Sequence, residues 1–148
     1  MDELDEGREV EVLDRAACLT LLGTAALGRI AFTEGALPAV QPVTFALGDG
    51  ELYIPTHAGS KVAAASRGAV VAFEVDDVDP LARTGWNVTV VGPSRLIVDS
   101  DDVARLDAMG VRPWARSGAG HCYIGVRTQL VQGRRIASGA ASSAVLSA

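Results

Sequence analysis

The sequence predicts a mainly β domain, an antiparallel barrel of about six strands with short helices between them. Two observations carry this. Apolar residues alternate over short runs bounded by Gly, Pro and Asp turn signals, as over residues 28–33 and 51–55. Hairpin signals such as Gly48-Asp49-Gly50 join consecutive runs, and no long helix alternates with the strands as a doubly wound sheet requires. A chain of 148 residues predicts one domain, large enough to bury roughly 70% of its unfolded surface.

Taken in order, residues 1–10 are polar and acidic and predict a flexible arm ahead of a domain over 11–136. Asp14 is placed to cap a helix through Leu22, with Leu13, Ala17, Leu21 and Leu22 on one face and Gly23 as its stop. Residues 28–33 form a strand in which Ile30 and Phe32 alternate with Arg29, Ala31 and Thr33. After a turn at 34–36, residues 38–47 form a strand whose Pro42 requires an edge or a bulge. Residues 51–55 are the return strand. Ser60 opens a short helix to Ser66, closed by Gly68. Residues 69–75 are apolar at nearly every position, so both faces of this strand are expected to be covered. Residues 76–80 read as a turn or loop, and 87–98 as a long β run with a bulge or corner at Gly92-Pro93. Ser100 is expected to cap a helix to Met109, with Asp101 and Asp102 suited to its dipole and Gly110 ending it. A loop over 113–120 leads to two last strands, 121–126 and 130–136. Residues 137–148, rich in Ala and Ser, predict a disordered tail.

Hydrophobic residues make up 49% of the chain and mean hydropathy is +0.25, which is apolar for a small domain and predicts surface covered by a second subunit. A formal charge of −5 argues against a nucleic-acid partner. The acidic start and the lack of any run approaching ~18 apolar residues predict a cytoplasmic protein without a membrane partner. Cys18 and Cys122 form no CxxC pair and read as small buried apolar residues.

Little in the sequence points to chemistry. His57 and His121 are the only histidines, which excludes a multi-histidine metal site within one chain. His121 and Cys122 are neighbours on a strand and point to opposite faces. Asp76, Asp77 and Asp79 lack the spacing and glycine of a calcium loop, so no metal is expected. The G-x-S-x-G, Walker and G-x-G-x-x-G patterns are missing. What remains is the segment Thr56-His57-Ala58-Gly59-Ser60-Lys61, where a strand passes through a polar turn into a helix. Free amides and the dipole's positive end favour an anion there, and two hydroxyls and an ammonium make it a candidate phosphate seat. The simpler alternative is that Ser60 is a plain N-cap and Lys61 a solvated cation. Trp86 and Trp114 read as core or interface, and Arg134-Arg135 as a solvated pair by default.

Leu27-Gly-Arg-Ile-Ala-Phe32, Leu37-Pro-Ala-Val-Gln-Pro-Val-Thr-Phe45, Gly59-Ser-Lys61, Val70-Val-Ala-Phe-Glu-Val75 and Thr84-Gly-Trp-Asn-Val88 follow one another in an order and spacing that resembles the pyridoxamine 5'-phosphate oxidase-like family, the flavin-binding split β-barrels. The resemblance covers about Leu13 to Ile136, and Gly133-Arg-Arg-Ile136 is similar to the end of its actinobacterial-type members. It implies a homodimer of split antiparallel barrels, each of about six strands, with FMN in a cleft between subunits and a small-molecule substrate. By the same resemblance, Gln41, Pro42, Val43 and Thr44 run along the isoalloxazine ring through their backbone. Thr56, Ser60 and Lys61 hold the phosphate, and Trp86 lies near the ring or the dimer seam; His57 is this chain's own addition, a candidate phosphate partner or axial haem ligand. The chain departs from the family at two places. Many relatives carry arginine where Gln41 stands, and many carry arginine where Pro55 stands. The leading expectation is an FMN-dependent oxidoreductase. The alternatives are a deazaflavin-dependent reductase and a haem-binding or cofactor-free dimeric barrel, with His57 as the axial ligand in the haem case.

Overall fold

The computed structural model describes residues 8–113 and 120–138. Trp114, most of the expected 113–120 loop, residues 1–7 and residues 139–148 of the expected tail lie outside the described residues, while Ala137 and Ser138, expected in that tail, end the last strand.

Nine strands and three short helices follow one another in these segments. Every strand pairing is antiparallel. β1 (Arg8–Leu13), β9 (Leu130–Ser138), β7 (Thr84–Ile97), β6 (Val70–Asp79), β2 (Leu27–Glu34) and β3 (Leu37–Thr44) form one sheet in that order. The C-terminal part of β7 continues into a second sheet with β8 (His121–Arg127), β5 (Glu51–His57) and β4 (Ala46–Leu47). The expected mainly β, split-barrel architecture is therefore present, with more strands than expected. β1 accounts for part of the difference: residues 8–10, taken with the flexible arm, belong to a strand whose Glu9 and Glu11 face solvent and whose partner is β9. The run at 38–47 also divides at Phe45 into β3 and β4, which lie at the ends of the two sheets.

β7 is the hinge of the fold. Residues 85–91 pair with β9 and residues 94–97 pair with β8. The change of partner occurs at Gly92-Pro93, the expected corner. A Cβ on Gly92 would sit 2.0 Å from the carbonyl oxygen of Arg127, so only glycine allows this approach. Just past the corner, Ser94 Oγ donates to the carbonyls of Ser66 and Ala69, the latter at 2.7 Å, and ties the segment after α2 (Lys61–Ala65) to β7.

The prolines of β3 and β5 fall where a ladder loses little. β3 is an edge strand, which accommodates Pro38 and Pro42. β5 runs two residues beyond Pro55, to His57; at Pro55 its one ladder partner is Tyr123, because β4 covers only Leu52 and Tyr53.

One core fills the space between the sheets. Ile30, Phe73, Val88 and Val90 from the first meet Leu52, Ile54, Ile124 and Val126 from the second, closed by Cys18 and Leu22 of α1 (Arg15–Gly23) and Val62 of α2. Asp14 caps α1 through Ala17 N–H, as expected. Cys18 and Cys122 are buried free thiols, and burial pushes both above the ordinary thiol value. A second, smaller cluster, Ile97, Leu106 and Tyr123, seats α3 (Ser100–Asp107) on the outside of β8.

Three further expectations are corrected. α3 is capped by Asp99, whose side chain reaches Asp102 N–H, and Ser100 is its first residue. Residues 76–79 extend β6, because the β7 ladder continues out to Asp79↔Thr84. β6 is covered on one face only within the chain: Val71, Phe73 and Val75 are buried, whereas Val70 and Val78 are 68% and 60% exposed. Their side of the sheet also carries Val12, Val40 and Leu130, exposed at 78%, 66% and 49%.

Candidate functional site

The turn from β5 into α2 assembles the strongest polar cluster among the expected residues. Thr56 lies on the core side of β5, opposite Cys122, and is nearly buried. The chain then turns, with Ser60 N–H donating to the His57 carbonyl, and Ser60 takes the extended conformation of an N-cap. Its Oγ accepts Ala63 N–H at 3.0 Å and lies 2.9 Å from Thr56 Oγ1. Two hydroxyl protons share that one Thr–Ser contact, so one is always left to donate elsewhere. The amides of Lys61 and Val62 belong to the helix's unpaired first turn. The Lys61 side chain is exposed and makes no ion pair among the described residues. The arrangement offers a hydroxyl, two amides and an ammonium with no carboxylate bonded to them, which suits an anionic oxygen. Ser60 is thus an N-cap and a member of this cluster at once.

His57 sits differently. It alternates with Thr56, so its side chain faces the α3 side, in register with His121. There, Asp107 Oδ1 lies 2.8 Å from His121 Nε2 and accepts the Tyr123 hydroxyl at 2.7 Å. The His121 bond, followed by the tyrosine's, holds the Asp107 carboxyl below its ordinary value, while burial and the same carboxylate push the Tyr123 phenol up. No local pattern marks this trio, because His121 and Tyr123 lie fourteen and sixteen residues from Asp107, on a strand and a helix.

Gln41, Pro42, Val43 and Thr44 lie on β3, whose outer edge has no strand partner among the described residues. Gln41 and Pro42 are exposed and Val43 is buried. Thr44 Oγ1 donates to the Arg112 carbonyl and so pins the segment after α3 against the end of β3. Beside it is a groove of ≈ 350 Å³ lined by Ala26, Thr44, Phe45, Ala46, Met109, Gly110, Val111 and Arg112. Trp86 is not brought to these residues within the chain. It packs half-buried against the core near the start of β7, between Asp77 and Arg135 in register. Among the described residues, no group of three or more His, Cys, Asp or Glu is placed to hold a metal, and no helix is long and apolar enough to cross a membrane.

This architecture has relatives. The chain is 39% identical over 134 residues to an uncharacterized protein of Mycobacterium tuberculosis, a match covering 87% of each chain. A crystal structure of a candidate pyridoxamine 5'-phosphate oxidase from Corynebacterium glutamicum superposes with a TM-score of 0.74 at 25% identity, covering 87% of this chain and 93% of the other. The FAD binding protein of Mycobacterium smegmatis superposes with a TM-score of 0.67 at 29% identity, covering 84% and 95%. The sequence profile of the pyridoxamine 5'-phosphate oxidase family matches residues 14–135, a span that runs from the cap of α1 into β9 and includes the Thr56–Lys61 turn, the β3 edge and the corner of β7. The chain is a member of the pyridoxamine 5'-phosphate oxidase family.

Proposed function

We propose that this protein is a flavin-binding oxidoreductase that holds FMN and acts on a small molecule. The observation that carries the reading is the Thr56–Ser60 hydroxyl pair beside Lys61, in a family with a flavin-binding relative of the same fold. The residues present fit a phosphorylated flavin. The hydroxyl of the Thr56–Ser60 pair that is not spent on their mutual contact donates to a phosphate oxygen, the α2 amides add two more donors, and Lys61 neutralises charge. The open edge of β3 offers backbone groups to the rim of a planar ring. An arginine at position 55 would alternate with Thr56 and face the α3 side, so Pro55 leaves the hydroxyl pair undisturbed. When bound, flavin supplies transfer of hydride or single electrons, and the protein's part is to bind it, orient it and exclude water.

The protein acts as a homodimer in this reading. The outer side of the larger sheet exposes Val12, Val40, Val70, Val78 and Leu130, with no helix over them among the described residues, and a second copy would cover such a face.

Titration of FMN into flavin-free wild type and Lys61→Ala, followed by flavin fluorescence, tests the assignment. The substitution is expected to weaken binding by about tenfold or more without unfolding the protein. Equal affinity in the two proteins refutes the seat. A protein that leaves FMN free and takes a deazaflavin or haem overturns the choice of cofactor.

A further inference from the structure

The groove at the junction of β3 and β4 differs in chemistry from the Thr56–Lys61 turn. Its lining is mostly apolar: Ala26, Phe45, Ala46, Met109 and Val111. Its one charged residue is Arg112, exposed at the rim and without an ion pair among the described residues. The rim is fixed on both sides. Thr44 Oγ1 holds the Arg112 carbonyl, and Val111 packs against the smaller core cluster. The end of α3 is anchored by Asp107 to His121 and Tyr123, and the chain then turns at Gly110, whose φ is +82°. An arginine on a fixed backbone beside an apolar groove suits an apolar body with a carboxylate at one end, which a guanidinium can grip with two parallel hydrogen bonds.

We propose that this groove binds an apolar carboxylate, with Arg112 as the residue that selects its charge. The groove adjoins Thr44, at the end of the strand along which the flavin ring is placed above. Assigning the bound acid as the substrate therefore rests on the flavin reading; its binding does not.

The test is calorimetric titration of the full chain, with and without FMN, using 1-naphthoate and its neutral counterpart 1-naphthylmethanol. The wild type is expected to bind naphthoate saturably at millimolar or lower concentration, and the alcohol about tenfold more weakly. Arg112→Gln is expected to erase that difference. The substitution keeps the bond from Thr44, which is made to the backbone carbonyl. Lys61→Ala is expected to weaken FMN binding and keep naphthoate, the reverse of Arg112→Gln, so failure of the groove and failure of the flavin seat give different patterns. Failure of naphthoate to bind, equal affinity for acid and alcohol in the wild type, or undiminished preference for the acid in Arg112→Gln overturns the proposal. The wild-type comparison decides even if the variant does not fold.

Discussion

Replacing Gly92 by alanine removes nothing and adds one methyl group, yet it strikes the point where β7 leaves one sheet for the other. The added Cβ would lie 2.0 Å from Arg127 O and 3.0 Å from Arg127 C, both backbone atoms. No side-chain rotation relieves this. The carbonyl has to retreat by about 1 Å, which is overpacking of a closely packed interior. Arg127 ends β8 in register with Glu51, and the next amide, Thr128 N–H, bonds the Gly50 carbonyl. The retreat therefore disturbs the β5–β8 ladder as well. A loss of about 3 kcal/mol is expected, the upper part of the overpacking range. For a chain of this size that corresponds to a fall in Tm of about 6–12 °C. Urea denaturation and calorimetry of the variant measure it. Gly23→Ala is the control: a Cβ there meets nothing within 4 Å, and the residue lies at the exposed end of α1. It should leave stability unchanged or raise it by up to about 1 kcal/mol. A Gly92→Ala protein within about 0.5 kcal/mol of wild type would refute the corner and the close β7–β8 approach it creates.

Two other predictions concern charge and assembly. Glu51 receives two hydrogen bonds from Arg95, at 2.8 and 2.9 Å, and these hold its carboxyl below its ordinary value of 4.5 despite the opposing effect of burial. A lowered carboxyl contributes stability that is complete above the ordinary value and lost as pH falls through the folded one. Arg95→Met should therefore cost about 1 kcal/mol near neutral pH, a modest figure because Arg95 is 60% exposed. The gap from wild type should close in strong acid, and urea midpoints over a pH series would show a constant gap if the reasoning is wrong. Sedimentation should find a dimer at micromolar concentration, and Val40→Glu with Val70→Glu should dissociate it. A monomeric wild type would contradict the covered face.

The barrel was legible in the sequence because its signals are local. Alternation marked β2 and β5, Gly48-Asp49-Gly50 marked a hairpin, and Gly92-Pro93 marked the corner. β1 was hidden although Glu9-Val-Glu-Val12 alternates as a strand does: it follows an acidic start that outweighs so short a run, and its only partner among the described residues, β9, lies far along the chain. The break at Phe45 was hidden for a similar reason. Phe45 is drawn inward against Phe73, with ring centroids 4.7 Å apart, which divides an otherwise continuous run. At the site, helix-end logic placed Thr56, Ser60 and Lys61 together, and the hydroxyl contact is there. Arg112 and the Asp107–His121–Tyr123 trio carry no local pattern. They meet their partners only once α3 packs on the second sheet, and no spacing rule spans that distance.

The proposed seat of the flavin phosphate is the Thr56–Lys61 turn. Parallel titrations of flavin-free wild type with FMN and with riboflavin, which differ by that phosphate alone, test it most directly. Saturable FMN binding is expected, tighter than riboflavin by about a hundredfold, the worth of two charge-assisted contacts. Equal affinity for the two, or no binding of either by a well-folded protein, would contradict it.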